Sequence, residues 1–451
     1  MITDTSEKGL ESLIVEHMTG VPQGRLATIT AAADAPAAYG GAGWLLGNPA
    51  DYNREYAVDL VQLREFLAAT QPELVDAFDL DSDGPTRRKF LARLQGEVTR
   101  RGVIDVLRAG VRHGPHSVDL FYGALTPGNA KAEQRFAANR FSVTRQLRYS
   151  RAETQLALDL AIFINGLPVA TFELKNALTK QTVDDAVEQY RRDRDPRELI
   201  FQFGRCAVHF AVDDQEIRMC TELKGKASWF LPFNQGWNDG AGNPPNPHGL
   251  KTDYLWRRVL TPASLTNILE NFAQIVETKD EKTGRKKRRA IFPRYHQLDV
   301  VRRLLADVAA QGAGQRYLIQ HSAGSGKSNS IAWLAHQLIG LTHVDPETGA
   351  PETEFLGETR FLTASNSAGR PLFDSIIVVT DRRLLDQQIN ATIKGFAQVG
   401  ATVGHADRSG DLRTFIEGGK KIIITTVQKF PFILDEIGDE HRGRRFAILI
   451  D

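Results

Sequence analysis

Cysteine is nearly absent: Cys206 and Cys220 are the two in 451 residues. Two thiols exclude a disulfide framework and a four-thiolate zinc site, and they suit a reducing compartment. No apolar run is long enough for a membrane-crossing helix, and the longest candidate, LALDLAIFI, is interrupted by Asp159. Residues 1–18 are polar and acidic and lack the apolar stretch of a signal peptide. A cytoplasmic location with no membrane partner is the expectation. Excess charge is also missing, with 56 Lys+Arg against 55 Asp+Glu and a net charge of +1. That excludes a polycation or an acidic tail protein, but not a local basic patch. Glycine (38), proline (19) and the 42% hydrophobic fraction are ordinary, which excludes disordered and collagen-like chains.

What remains is a multidomain α/β chain. Helical spacing is predicted over 5–18 and again from Val58 to Arg112, around an irregular Gly/Ala/Pro-rich stretch. A strand is predicted over Phe141–Tyr149, and LALDLAIFINGLPVATFELKN carries the clearest β pattern of the first half. TVDDAVEQYRRDRDP predicts an amphipathic helix stopped by Pro196, and 199–218 two further strands. The aromatics Trp229, Phe230, Phe233, Trp237, Tyr254 and Trp256 are expected in a packed loop. KDEKTGRKKRR, with its basic run Arg285–Arg289, is expected as a solvated hairpin or linker. These features divide the chain into an N-terminal domain over 1–257 with its core at about 135–220, a linker over 258–290, and a last domain over 291–451. In that last domain YLIQ, SIIVVT, KIIITT and FAILI alternate with helices, predicting a doubly wound parallel sheet.

HSAGSGKS, residues 321–328, lies between the apolar run Tyr317–Gln320 and a helix with Ile331, Leu334, Ala335 and Leu338 on one face. In that context it reads as a phosphate-binding loop for ATP. Gly324, Ser325 and Gly326 let successive N–H groups face phosphate oxygens. Lys327 can reach the β- and γ-phosphates, and the Ser328 hydroxyl can ligate Mg²⁺. The strand Phe446–Ile450 ends in Asp451, the pattern in which a carboxylate holds the nucleotide's Mg²⁺. Pro293-Arg-Tyr-His-Gln297 resembles the segment that reads adenine in superfamily 2 helicases, with Gln297 at the base edge. Asp381, Arg382, Gln387, Gln388, Thr426, Gln428 and Lys429 cluster after two strands, where nucleic-acid backbone contacts or ordinary helix caps are expected.

In the first half, Glu173 and Lys175 are two apart on a strand and share a face. Asp159 lies on the preceding strand, across the turn Asn165-Gly166. For Asp159 to join that face the hairpin needs an odd loop or a bulge; a plain two- or four-residue loop would send it to the other side. Converging carboxylates can hold Mg²⁺, which polarises a phosphodiester and activates water, with Lys175 as an adjacent cation. This Asp–x(n)–Glu–x–Lys arrangement is that of restriction-type, PD-(D/E)xK nucleases.

LDLAIFINGLPVATFELKN, QHSAGSGKS, VVTDRRLLDQQ and ITTVQKF, in this order, resemble the R (motor and endonuclease) subunit of type I restriction–modification enzymes, over its N-terminal half. The resemblance implies a PD-(D/E)xK nuclease domain followed by a RecA-like ATPase domain that is cut short. It implies a type I site-specific deoxyribonuclease: Mg²⁺-dependent cleavage of double-stranded DNA coupled to ATP-driven translocation. The implied partners are methylation and specificity subunits. By motif match Asp159, Glu173 and Lys175 are the cleavage residues. Gln189 is implied as a further site residue, with Tyr190 following it directly where the family places its tyrosine four residues on. An N-terminal glutamate, Glu7 or Glu11, is implied near the metal. The glutamate that commonly follows Asp451 and a second motor domain are absent from the sequence, so a partial sequence is expected. The alternatives are a helicase–nuclease of DNA repair and an inactive fragment that binds ATP or partners.

Overall fold

In the chain's computed structural model the described residues are 7–22, 41–123, 130–176, 180–279, 284, 286–322, 324–343, 355–356, 359–360, 371–380, 389, 392–393, 403–406, 409–427 and 443–451. They fall into two units, one ending at Arg294 and one beginning at Tyr295.

The first unit is built on a seven-stranded mixed sheet whose strands lie in chain order. They are β1 (Leu45–Gly47), β2 (Phe141–Arg148), β3 (Ala157–Ile164), β4 (Leu167–Leu174), β5 (Val208–Val212), β6 (Ile217–Cys220) and β7 (Leu231–Pro232). Pairing is antiparallel except at β1–β2 and β4–β5. The parallel step β4–β5 needs a crossover, supplied by the helix Val183–Arg192. That helix is amphipathic: Val183, Ala186, Val187 and Tyr190 are buried at helical spacing, and Thr182 N–H donates to Asp185 at its start. Its buried face packs with Ala161, Phe163 and Ala211 of the sheet. The helix Glu7–Thr19 and the helices spanning 60–109 complete the unit.

The β3–β4 hairpin turns through Asn165 (φ +51°) and Gly166 (φ +81°), the left-handed pair that a tight two-residue turn requires. A Cβ at Gly166 would lie 2.3 Å from the Asp59 carbonyl oxygen, so glycine is needed there for space as well. Asn165 is fully buried; its amide donates to the Leu120 carbonyl and to Asn139 Oδ1, each at 2.9 Å.

Two sequence expectations for this unit are corrected. Leu199–Phe201 forms one 3₁₀ turn rather than a strand; Ile200 and Phe201 plug the core as a short wedge. The stretch 258–290 is no linker. Pro262–Asn271 is a helix with Leu265, Ile268 and Leu269 buried, and Gln274–Lys279 pairs with Lys286–Ile291 as a hairpin. Its apolar residues have a core to join, and its basic ones (Lys286, Lys287, Arg289) stay exposed. Of the aromatics, Phe230, Phe233, Tyr254 and Trp256 are packed, while Trp229 and Trp237 are exposed.

The second unit contains a four-stranded parallel sheet formed by β8 (Ser375–Thr380), β9 (Val403–His405), β10 (Ile422–Thr426) and β11 (Phe446–Ile450), in the order β9-β10-β8-β11. The helices Tyr295–Gln311 and Lys327–Leu338 pack together beside it. The run Tyr317–Gln320, predicted as a strand, is not one: it pairs with nothing in the sheet, and Leu318 is 97% exposed. Local apolar character favours extension, but without a partner strand nothing buries it. The edge of β11 is open accordingly, with Ile448 and Ile450 exposed beside a groove of about 630 Å³. Among the described residues no helix is long and apolar enough to cross a membrane.

Candidate functional sites

The β3–β4 register decides the first site. Near the turn Ile164 pairs with Leu167 and Phe163 with Pro168; further on, Ile162 pairs with Ala170 and Leu160 with Phe172. The shift between Ile162 and Phe163 is a bulge in which Val169 is the extra residue. It converts a two-residue turn, which would have placed Asp159 on the wrong face, into a register that sets Asp159 level with Glu173. On its other side Asp159 is level with Gln146 of β2, whose φ of +46° marks a local distortion of that strand.

Asp159 Oδ2 accepts from the Leu174 N–H at 2.7 Å. Glu173 is fully buried, and Lys175, on the same face, is nearly so. Asp159 raises, and Lys175 lowers, the pKa of Glu173, so the three act on one another electrostatically. The dominant influence on Glu173 is burial, which pushes its pKa up to about 8. Against it stands a residue that sequence spacing does not reveal. Arg194, two residues past the crossover helix, donates Nε–H to Glu173 Oε1 at 2.6 Å, Nη1–H to the Tyr149 hydroxyl at 3.3 Å and Nη2–H to the Ala157 carbonyl at 2.8 Å. Burial works against the Arg194 charge, but Glu173 outweighs it and holds the guanidinium protonated. In the sequence Arg194 belongs to RRDRDP, which has the composition of a solvated charge run; no local signal marks it.

Glu173 Oε2 is buried and has no hydrogen-bond partner. An orphaned buried carboxylate oxygen beside a second carboxylate suits a divalent cation, so the pair fits Mg²⁺. No group of three or more His, Cys, Asp or Glu set to hold a metal occurs among the described residues. Glu11 interacts electrostatically with this cluster. It is buried, pairs with Arg145, accepts from Gln146 Nε2 at 2.6 Å, and has its pKa raised by burial first and by Asp159 last. The Glu7 side chain lies outside the described residues. Gln189 has its Oε1 buried without a partner. Tyr190 faces the core: its hydroxyl bonds Thr171 Oγ1 at 2.8 Å, and Thr171 Oγ1 in turn bonds His209 Nδ1 at 2.7 Å. Burial keeps His209 neutral, lowering its pKa to about 3.

In the second unit Gly324 (φ +73°) and Gly326 (φ +87°) curl the loop, and Gly326 caps the helix that begins at Lys327. Lys327 Nζ is 2.6 Å from Asp451 Oδ1, so the loop lysine and the strand-end aspartate meet. Ser328 is half-buried in the first turn and Ser325 is buried. Gln297 donates its amide to the Gly326 carbonyl at 2.9 Å, and His296 bonds the Ser325 carbonyl at 3.1 Å. In this structure Gln297 therefore holds the glycine loop itself. His321 Nδ1 bonds Ser325 Oγ at 2.9 Å. Asp381, Arg382, Gln387, Gln388, Gln428 and Lys429 lie outside the described residues, and Thr426 is buried at the end of β10.

Residues 99–228 match the family model of the type I restriction enzyme R protein N terminus, a span that includes Asp159, Glu173, Lys175 and Arg194. The chain resembles type I restriction enzyme R subunits. Residues 359–451 match the SWI2/SNF2 ATPase family, a span that begins after the glycine loop and includes β8, β9, β10 and β11. The chain is also 24% identical over 304 residues to the type I restriction enzyme HindI endonuclease subunit of Haemophilus influenzae, covering 65% of this chain. The match spans a quarter (25%) of that relative's length.

Proposed function

We propose that this chain is the restriction subunit of a type I enzyme: an ATP-dependent endonuclease that cuts double-stranded DNA in the cytoplasm, with a PD-(D/E)xK nuclease centre and a RecA-like motor domain. The observation that carries the reading is the bulge that sets Asp159 level with Glu173 while Glu173 Oε2 is left unpartnered. Asp159 and Glu173 would hold Mg²⁺, which when bound supplies a Lewis acid for the phosphodiester and its attacking water. Arg194 opposes the burial that raises the Glu173 pKa and fixes Oε1, so that Oε2 is the oxygen presented. Lys175 orients the water and balances charge at the phosphate, with Gln189 and Glu11 at the margin. In the motor domain Gly324, Ser325, Gly326 and Lys327 cradle the ATP phosphates. Ser328 and Asp451 would hold the nucleotide's Mg²⁺, and Gln297 supports the loop. A bound triphosphate would replace Asp451 as the partner of Lys327 and free that carboxylate for the ion.

The test uses supercoiled plasmid with ATP, Mg²⁺ and the methylation and specificity subunits. Glu173→Gln and Lys175→Ala are expected to abolish cleavage and to leave ATP hydrolysis intact. Cleavage surviving both changes overturns the site. Cleavage by the wild-type chain that is indifferent to the partner subunits would instead favour a repair nuclease.

A further inference from the structure

A second polar cleft lies in the first unit. It has a volume of about 410 Å³ and is lined by Arg54, Arg151, Arg197, Gln95, Gln202 and Glu198, with Glu55, Tyr56 and Leu199 at its sides. Its acids are partly engaged: Glu198 accepts from Ser150 Oγ at 2.5 Å. Arg197 pairs with Asp195 at 2.7 Å but is 90% exposed, and Arg54 donates to the Arg148 carbonyl. Arg151 makes no hydrogen bond or ion pair among the described residues. Behind the wall sits Arg205, whose N–H donates to the Gln202 carbonyl. It is 2% exposed, and its Nη1 and Nη2 have no hydrogen-bond partner. A buried guanidinium without an acid is costly unless an anion or water completes it. Burial lowers its pKa only to about 10, so it stays charged at neutral pH.

Short chain segments join the cleft to the carboxylate cluster. Tyr149 and Arg194 meet at Glu173; two and three residues on, Arg151 and Arg197 line the cleft. Chain segments of that length reach at most ~7–10 Å. A DNA strand carries one phosphate per ~3.4 Å of axis, so a strand lying over Glu173 places a neighbouring phosphate within about three nucleotides of it at the cleft. Arg288 of the Lys286–Ile291 strand lies over the ring of Phe203, the residue after Gln202.

We propose that this cleft, through Arg54, Arg151 and Arg197 with Arg205 behind them, binds the DNA phosphate backbone beside the cleavage site. It is a sequence-independent anchor that sets the register of the strand in the nuclease centre. The assignment rests on the nuclease reading above for its substrate.

The test uses the full chain with a fluorescein-labelled DNA duplex in EDTA, with anisotropy read over a sodium chloride series. Arg151→Ala with Arg197→Ala, both at the surface, is expected to lower the slope of log K against log salt by about 2, from ~0.9 per phosphate contact. Affinity at low salt should fall at least tenfold. Lys131→Ala with Lys226→Ala removes equal charge away from the cleft and is expected to leave the slope unchanged. A wild-type slope in the arginine variant overturns the proposal. So does a thermal shift with inorganic phosphate that vanishes in the variant while duplex binding is unaffected, since that assigns a small-anion site. Glu173→Gln separates the two readings. If it still cleaves while the arginine variant loses slope, the nuclease assignment fails and the anchor stands; if it loses cleavage while the arginine variant keeps its slope, the anchor alone fails.

Discussion

Each unit joins a carboxylate to a cation at 2.6 Å, and the two pairs differ in burial. Glu173 and Arg194 are 0% and 5% exposed, whereas Asp451 is 2% and Lys327 48% exposed. The first pair is sealed between a sheet and its crossover helix, with Tyr149 and the Ala157 carbonyl each taking one more guanidinium hydrogen. The second sits at a loop whose preceding segment is unpaired and whose neighbouring strand edge is open. A sealed pair cannot exchange partners without exposing a charge to a dry interior, so it holds geometry. A half-exposed pair can release its lysine to a competing phosphate at little cost. Two similar distances therefore describe a fixed strut and a replaceable contact.

The sharpest way to break this contrast is to remove one cation from each pair. Arg194→Ala strands Glu173 in the core and is expected to cost ~3–5 kcal/mol in urea denaturation, the scale for breaking a buried pair. Lys327→Ala is expected to cost ~0–1 kcal/mol by the same measure, while binding of a fluorescent ATP analogue is lost. Equal stability losses would show that the two pairs are alike after all.

The dry character of the first site can be probed through His209. Folding holds it neutral down to about pH 3, while its unfolded value is 6.5. Between those values the unfolded chain binds the additional proton, so stability falls as pH drops, by up to about 1.4 kcal/mol per unit. His209→Gln removes that contribution. The difference between the two proteins' pH–stability curves should grow steadily from about pH 6.5 downward and be flat above it. A constant difference across pH would mean that His209 is solvated. A last change sharpens the hairpin: Asn165→Gly keeps the left-handed turn but loses the buried amide contacts, and is expected to cost ~1–3 kcal/mol in urea denaturation, with DNA cleavage retained once folded.

Much of the site was legible in particular residues. Glu173 and Lys175 share a face because strands alternate, and the glycines of HSAGSGKS adopt the positive φ that a curled loop needs. Asp159 was conditional: the sequence allowed a bulge as one route, and the extra Val169 supplies it. Arg194 was not legible, since an arginine in a charged run looks solvated until a sheet is laid over it. Tyr317–Gln320 misled in the other direction, because an apolar run becomes a strand only when another strand's edge accepts it.

The chain's order of residues settled by itself which groups can do chemistry and which of them share a turn or a strand face, because those relations depend on a few consecutive backbone angles. Tertiary structure decided which carboxylates stand level, which cation neutralises Glu173 and which lysine remains open to solvent. Those outcomes depend on register and burial between segments distant in sequence, where a single extra residue or the loss of water reverses the result.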